Sequence, residues 1–332
     1  MATTLDLMQE AIAGPATLLL VPQAPISLYY IASGLLVAIA WFLWRSRAPT
    51  EAPKKLWSQL FPKQILLHPS AIFDYQYFFF SRMVWVLCFG ILFLQGFAVA
   101  DAVNAWLTRL FGPRLEPFDE NLVSTLAVTV VYVLVYDFCY WLFHWLLHVV
   151  PWLWVFHKGH HAAEVLTPFT AVRSHPVEEI INANFIALGT GASYGIMTYL
   201  FGNAPGSLEW LGVNALMLVY YVVFYNLRHS HIWLPITGPL GAIIQSPAHH
   251  QIHHSTSPEH IDKNFGYCLA LWDWLFGTLY IPKREESFAL GIGKDSARYH
   301  AMIPFLVLPF QDMARLLRKR LARRPDPSLK DS

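Results

Sequence analysis

The sequence predicts an all-α integral membrane protein with about four to five transmembrane helices, additional interfacial helices and a cytoplasmic, histidine-rich metal cap. Of its 332 residues, 55% are hydrophobic and only 14% are charged, whereas soluble domains average about 25% charged residues. A soluble fold would leave much of this apolar surface exposed, so a bilayer is the better solvent. Thirteen of the 15 histidines lie between His144 and His260, which indicates a metal site.

Five apolar stretches are each near the length of about 20 residues that a bilayer-spanning helix requires. They are residues 26–44, 83–107, 122–143, 180–201 and 208–225. The last two are joined by a short uncharged connection, so a re-entrant hairpin, or an even number of spans, is the alternative. No lysine or arginine precedes Arg45, which favours a retained anchor over a cleaved signal peptide for the first stretch.

The distribution of positive charge predicts the orientation. With the N-terminus outside, all but two of the 23 lysines and arginines fall on the inner side, as the positive-inside rule requires. Every histidine cluster then faces the cytoplasm. The C-terminus ends without an endoplasmic-reticulum retention signal, which favours a bacterial inner membrane, or the endoplasmic reticulum if the source is eukaryotic.

Two further segments are expected at the membrane surface. Residues 68–82 are rich in aromatic side chains, and residues 311–324 set leucines and Met313 against six basic side chains. A basic amphipathic helix suits an anionic leaflet, and a solvated basic tail is the alternative for residues 311–324. The net charge of +1 gives no reason to expect a nucleic-acid partner.

The histidines occur at helical spacing. His144 and His148 are four residues apart, and two triplets, His157-x2-His160-His161 and His250-x2-His253-His254, repeat the i, i+3, i+4 pattern. Such residues share one face of a helix, so their rings can reach a common ion. His229 and His231 are two residues apart and cannot share a helical face, so His229 is the better candidate ligand.

Several other residues are candidates for supporting roles. Asp137 lies on the same helical face as the first pair, deep in an apolar run. It is expected either to hydrogen-bond a ligand ring or to pair with a neighbouring helix. His175, His231, His249 and His260 are accessory candidates, and His175 alternatively caps the turn before Pro176. His68 and His300 are expected to have no role in the site.

The types of candidate ligand limit which metals the site can bind. The three cysteines are scattered, so the ligands are nitrogen atoms, which suit zinc, copper or iron. About nine to eleven candidate ligands exceed what one zinc ion needs and are enough for two ions. Two iron ions beside a bilayer would indicate activation of O2 and attack on an unactivated C–H bond. Zinc is the alternative metal.

These residues together resemble the fatty acid hydroxylase/sterol desaturase superfamily of histidine-rich diiron membrane oxygenases. The resemblance covers roughly residues 122–282. Its boxes are Asp137-x2-Tyr140-Trp141-x2-His144-x3-His148, His157-x2-His160-His161 with Arg173-x-His175-Pro176, and His250-x2-His253-His254. The following stretch, Asp262-x-Asn264-Phe265-Gly266, also matches. Trp145 and His231 depart from the family's common arginine and asparagine.

The resemblance implies an O2-dependent lipid hydroxylase or desaturase with two iron ions. It also implies a membrane lipid substrate and a separate electron donor, which is a reductase, a ferredoxin, a cytochrome or a pterin. Asn264 joins Asp137, His175, His231 and His249 as a supporting residue. The implied domains are an N-terminal anchor and interfacial region (1–120), a catalytic domain (121–285) and a basic amphipathic tail (286–332). The implied ligands are His144, His148, His157, His160, His161, His229, His250, His253 and His254.

Other functions remain open at this point. Ser246-Pro-x-His249-His250 through Asp262-Lys-Asn-Phe-Gly is similar to the pterin-dependent, ether-lipid-cleaving branch of the superfamily. A histidine-rich metal transporter or sensor is a second class, although its ionisable residues should run through the spans rather than gather at one end. A membrane zinc hydrolase is a third, but the sequence contains no His-Glu-x-x-His motif.

Overall fold

The computed structural model describes residues 14, 16–45, 52–88, 92–113, 121–202, 206–284 and 286–322, and the fold is mainly helical. The helices up to the first histidine pair are α1 (Leu28–Arg45), α2 (Ala52–Leu60), α3 (Lys63–Leu66), α4 (Pro69–Cys88), α5 (Gly96–Phe111) and α6 (Leu122–Val149). The remaining elements are α7 (Pro151–His161), α8 (Pro176–Phe201), the strands β1 (Glu209–Trp210) and β2 (Val213–Asn214), α9 (Ala215–Arg228), α10 (Pro247–His253), α11 (Leu271–Phe276) and α12 (Met302–Ala322). Short 3-10 helices at Pro168–Val172, Gly238–Ala242, Pro258–His260 and Gly293–Tyr299 connect them.

Two of the described helices, α1 and α6, are long and apolar enough to cross a membrane. The predicted stretch 180–201 lies within the single helix α8. The predicted stretch 83–107 is divided instead, because α4 ends at Cys88 and α5 begins at Gly96; residues 89–91 lie outside the described part of the chain.

The prediction of one helix over residues 208–225 was wrong. Its first part is the antiparallel hairpin of β1 and β2, in which Leu211 and Gly212 both take left-handed backbone conformations, with φ of 55° and 70°. Only then does α9 begin, and it contains a π-helical turn at Tyr221–Tyr225. Hydropathy counts apolar side chains and does not detect the reversal of the backbone at Leu211 and Gly212, so the strands were missed.

Two glycines bring α8 against α5. A Cβ atom on Gly191 would lie 2.5 Å from the carbonyl oxygen of Gly96, and one on Gly195 would overlap the carbonyl oxygen of Ala100. The absence of side chains at these positions, four residues apart, lets the two backbones approach closely, as small residues do between membrane helices. This packing holds α8, whose first turn borders the histidine cluster, against α5.

A buried ion pair supports the helix that carries the middle histidine triplet. Arg173 and Asp74 are both fully buried, and Nη1 of Arg173 lies 3.0 Å from Oδ1 of Asp74. The same guanidinium donates from Nε to the carbonyl oxygen of Gly159 in α7 and from Nη2 to that of Tyr299. Because Ser70 accepts a further bond from Nη1, Arg173 links α4, α7 and the segment before α12.

Candidate metal centre

Four helical segments direct histidines into one region. α6 carries His144 and His148 near its C-terminal end, and a tight turn with Pro151 in the first turn of the next helix leads into α7, which carries the middle triplet. The third contribution, His229, directly follows α9. The last triplet lies on α10 and its C-terminal cap.

The structure brings all nine predicted ligands together in two groups, and within each group the ligand atoms lie within 4.8 Å of one another. The group of five consists of His144, His148, His157, His161 and His253. The group of four consists of His160, His229, His250 and His254. Eight of the nine rings are buried and His148 is partly exposed. Their role as ligands stays a prediction, but the geometry is that of two adjacent ion sites.

In the group of five, the Nδ1 atoms point outward to acceptors. His144 and His253 donate from Nδ1 to the backbone carbonyls of Phe265 and Lys263, each at 2.9 Å. His157 donates from Nδ1 to Oε1 of Glu178 at 2.8 Å. A neutral imidazole carries one ring hydrogen, so Nε2 of each of these rings presents a bare lone pair to the centre of the group. Nδ1 of His148 lies 3.3 Å from Oδ1 of Asp262 and follows the same pattern.

The contacts at the centre of this group are electrostatically unfavourable without a cation. Nε2 of His161 lies 3.1 Å from Nε2 of both His148 and His253, and 3.2 Å from Nε2 of His157. The three partners have no hydrogen to donate, and His161 can supply at most one. Lone pairs that converge in this way match a metal ion, and nitrogen donors suit iron, zinc or copper.

In the group of four, the Nε2 atoms also converge, but the surroundings of the Nδ1 atoms differ from those in the group of five. Nε2 of His229 lies 2.9 Å from that of His250, 3.2 Å from that of His254 and 3.3 Å from that of His160. Nδ1 of His160 and of His254 is buried with no partner among the described residues. The guanidinium of Arg228 approaches Nδ1 of His250 at 3.4 Å. The two sites therefore differ in the groups that surround them.

Burial keeps these rings in the neutral form that binds metals. Burial, with a smaller contribution from Arg173, lowers the pKa of His160 to about 3. Burial and then neighbouring histidines lower the pKa of His161 and of His254 well below their ordinary value. An unprotonated imidazole is the metal ligand, so the cluster is ready to bind metal at neutral pH.

One loop, Asp262–Gly266, which we call the orienting loop, contacts three ligands. It provides the carboxylate of Asp262 and the carbonyls of Lys263 and Phe265 described above. Asp262 and Asn264 both adopt left-handed backbone conformations, with φ of 56° and 59°. Such conformations are uncommon outside glycine, and where they occur they are often associated with functional sites.

Buried carboxylates fix the orienting loop and the chain just after it. Asp273 accepts hydrogen bonds from the backbone N–H groups of Phe265 and Gly266, each at 2.9 Å, from the Thr278 hydroxyl at 2.6 Å and from the Trp141 indole at 3.0 Å. Asp137 accepts from the N–H groups of Cys268 and Leu269, at 2.5 and 3.0 Å. Because Trp141 and Asp137 belong to α6, the loop is tied to the helix whose histidine it orients.

The predicted supporting residues occupy different places. Asp137 contacts the chain after the orienting loop rather than a ligand ring. The side-chain amide of Asn264 donates to the backbone carbonyls of His249, which lies in α10, and Tyr280. It therefore connects the orienting loop to α10. His175 is the N-cap of α8, where its Nδ1 accepts from the N–H of Val177.

The structure does not bring His249 or His231 to the cluster. His249 accepts at Nδ1 from Ser246 and donates from Nε2 to the carbonyl of Gly241. His231 donates from Nε2 to the carbonyl of Gln59. The accessory candidate His260 lies beside Ser255 and Glu286. The rings of His68 and His300 pack against each other edge to face and do not belong to either histidine group.

Sequence reasoning did not assign three kinds of partner to the ligand rings. Glu178 orients His157, Arg228 approaches His250, and backbone carbonyls orient His144 and His253. The position of Glu178, two residues after the His175-Pro176 pair at a helix start, was the available signal. Backbone carbonyls leave no signal in a sequence.

Two cavities reach the histidines from different sides. One of about 240 Å³ is lined by His144, His157, His160 and His229 together with polar and tyrosine side chains. A more open cavity of about 340 Å³ is lined by His148, His161, His253 and His254. A small molecule can thus meet the cluster from either cavity.

Comparisons with known proteins find similar sequences for the part of the chain that carries the histidine cluster. Residues 129–278 match the family model described as fatty acid hydroxylase. The chain is 29% identical over 134 residues, 40% of its length, to an alkylglycerol monooxygenase of Xenopus tropicalis. It is 31% identical over 140 residues, 42% of its length, to an ornithine lipid hydroxylase of Rhizobium tropici. It is 27% identical over 170 residues, 48% of its length, to a very-long-chain aldehyde decarbonylase of Oryza sativa subsp. japonica.

These alignments span a minor part of each relative: 26% of the alkylglycerol monooxygenase, 38% of the ornithine lipid hydroxylase and 24% of the aldehyde decarbonylase. No solved structure matches the chain significantly.

Proposed function

This chain belongs to the fatty acid hydroxylase superfamily, and from that premise we propose that it is a membrane-bound monooxygenase that uses O2 to hydroxylate a lipid at a diiron centre. Its relatives are lipid hydroxylases, monooxygenases and decarbonylases, which supports an oxidoreductase. Under this proposal residues 121–285 form the catalytic unit, the nine histidines hold the metals on the cytoplasmic side, and a separate donor supplies electrons.

The observation that carries the proposal is the convergence of nine neutral imidazoles in groups of five and four. A structural zinc site is closed by four ligands, and two such sites would not need nine. Two redox-active ions with room for O2 and a substrate account better for the number of donors and for the adjoining cavities.

The protein's own residues prepare the site. Iron, when bound, would supply the O2 activation and C–H bond cleavage that no acid or base on the chain can perform. Glu178, Asp262 and the two carbonyls of the orienting loop hold the ligand rings in one tautomer, as outer partners of metal-binding histidines do. Burial of the rings excludes bulk water, which strengthens every electrostatic interaction inside the site.

A second candidate is cleavage of an ether lipid by a pterin-dependent monooxygenase of the same superfamily. It is favoured by the similarity to alkylglycerol monooxygenases from several animals, including human, at 30% identity over 138 residues. Hydroxylation beside an ether oxygen uses the same metal chemistry, so the two candidates differ in substrate and reductant. Product formation with a tetrahydropterin alone, and only from ether lipids, would select the second.

The test compares the wild-type protein with His160→Ala and with the matched control His300→Ala, whose ring lies outside the cluster. Each variant is expressed in cells, purified in detergent and measured for iron and zinc content, and the cellular lipids are compared by mass spectrometry. We expect about two irons per wild-type chain and a lipid that has gained one oxygen atom. His160→Ala should lose metal and product, and His300→Ala should keep both. Unchanged lipids in cells with a competent reductant, or full product from His160→Ala, would contradict the proposal.

A further inference from the structure

The 240 Å³ cavity beside the histidines contains an arginine without a counter-ion. Arg228 is 1% exposed, and no described carboxylate forms an ion pair with it. Its Nη1 donates to the carbonyl of Tyr267 at 3.2 Å, and Nη2 lies 3.4 Å from Nδ1 of His250 and 3.5 Å from the hydroxyl of Tyr140. Nε is buried with no partner among the described residues. The guanidinium stacks near the rings of Tyr267, Tyr225 and Tyr140, at 4.8, 5.6 and 5.9 Å.

Arg173 is a buried arginine with a structural role, and its partners can be compared with those of Arg228. It is also fully buried, but it has a carboxylate partner in Asp74 and uses Nε, Nη1 and Nη2 as donors. A buried charge without a partner is strongly destabilising, and aromatic rings offset only part of that cost. The comparison indicates that the partner of Arg228 is a molecule that enters the cavity.

Two unpaired acceptors line the same cavity. Oε2 of Glu178 and Oδ1 of Asn182 are buried and have no hydrogen-bond partner among the described residues. Glu178 uses its other oxygen to hold His157, so Oε2 is free to accept from a ligand. The cavity thus offers a cationic donor on Arg228 and acceptors on Glu178 and Asn182, all beside four of the predicted metal ligands.

We propose that this cavity binds the head group of a lipid that carries an anionic oxygen, bound by Arg228, and a nearby hydroxyl or amine, bound by Glu178 and Asn182. The inference rests on the proposed function for the identity of the site as a place of lipid oxidation. It adds that the polar end of the substrate lies next to the metal ligands, so oxidation occurs near the head group and not far along the chain. A phosphate and a carboxylate share the required chemistry, because arginine binds both with paired hydrogen bonds.

The test is equilibrium binding to the purified, metal-loaded protein in detergent, without reductant, so that no turnover occurs. The probes share one acyl chain and differ in the head: lysophosphatidylethanolamine, an N-acyl serine and a neutral monoacylglycerol. We expect the two probes that carry an anionic oxygen on the head group, which we call the anionic probes, to bind about 10- to 100-fold more tightly than the monoacylglycerol, the range of a charged hydrogen bond. The phosphate and carboxylate probes identify which oxyanion is preferred.

Three variants identify the residues responsible. Arg228→Gln should remove the preference for anionic heads, and Arg298→Gln, at an exposed arginine paired with Asp295, should keep it. Asn182→Asp adds a negative charge to the cavity without touching a predicted metal ligand, so it should weaken binding of the anionic probes even if Arg228→Gln does not fold. Equal binding of neutral and anionic probes by the wild type, or an unchanged preference in Arg228→Gln or Asn182→Asp, would overturn the proposal. Because binding is measured without turnover, an anionic preference in a protein that oxidises no lipid would contradict the proposed function and leave the head-group site standing.

Discussion

Nδ1 of His157 lies 2.8 Å from Oε1 of Glu178, and both side chains are buried. The contact joins α7 to the first turn of α8, so a residue outside the histidine motifs controls the orientation of a ring within them. Burial, and then Glu179, raises the pKa of Glu178 well above its ordinary value. Positive metal ions behind His157 would oppose that shift and favour the carboxylate.

Removing this partner should weaken metal binding. We expect Glu178→Leu to lower iron affinity about 10- to 100-fold, the usual effect of losing an outer partner of a ligand histidine. Glu178→Gln keeps an acceptor oxygen and should have a smaller effect. Metal content after dialysis against a graded chelator measures the change, with Glu164→Gln as the exposed control. Wild-type retention of iron by Glu178→Leu would show that the contact does not support the ligand.

The carboxylate of Asp273 should be important for the stability of the protein, although it contacts none of the predicted metal ligands. Asp273→Ala leaves two backbone N–H groups, the Trp141 indole and the Thr278 hydroxyl without their acceptor. A loss of about 3 kcal/mol or more in the free energy of unfolding is expected, since buried unpaired donors cost about 1–3 kcal/mol each. Thermal unfolding in detergent measures it, and the exposed Asp295→Ala is the control. A melting temperature equal to that of the control would mean that the orienting loop is held by other contacts.

Acid should destabilise the metal-free protein. Burial lowers the pKa of His160 to about 3 and that of His249 to about 4, whereas an unfolded chain protonates its histidines near about 6.5. Between these values the unfolded state binds more protons, so stability falls as the pH falls. Buried carboxyl groups act in the opposite direction, because burial raises the pKa of Asp273 to about 6 and raises the pKa of Glu178 and of Asp74 above their ordinary values, but the histidines with a lowered pKa outnumber them. Unfolding temperatures of the metal-free protein from pH 8 to pH 5 should decrease; a constant or rising temperature would contradict this reading.

The histidine cluster was predictable because its information is local. Spacings of three and four residues place His157, His160 and His161 on one helical face whatever the rest of the chain does. The same reasoning separated His229 from His231, since residues two apart point in different directions. The structure brings the first of these to the cluster and turns the second towards Gln59.

The partners of the ligands were not predictable because they depend on tertiary structure. Whether Glu178 or Glu179 meets His157 depends on how α8 is rotated against α7, and that rotation is set by packing. Every residue type has a backbone carbonyl, so the identities of Lys263 and Phe265 do not mark them as partners of His253 and His144. Only the path of the orienting loop places their carbonyls within hydrogen-bond distance of those rings. The strands at 209–214 were missed for a related reason, since an apolar composition does not distinguish a hairpin from a helix.

The close contact of α5 with α8 should be sensitive to a single methyl group. In Gly191→Ala the new Cβ would lie 2.5 Å from the Gly96 carbonyl oxygen and 2.9 Å from Cβ of Val99, so the helices must separate, at a cost of about 1–3 kcal/mol. Gly96→Ala in the same interface is the control, because its Cβ would make an ordinary contact at 3.9 Å. We expect Gly191→Ala to unfold at a lower temperature than the control and to retain less metal, because α8 carries Glu178 to His157. If both alanine variants unfold at the same temperature and bind equal metal, the approach of these helices does not position the site.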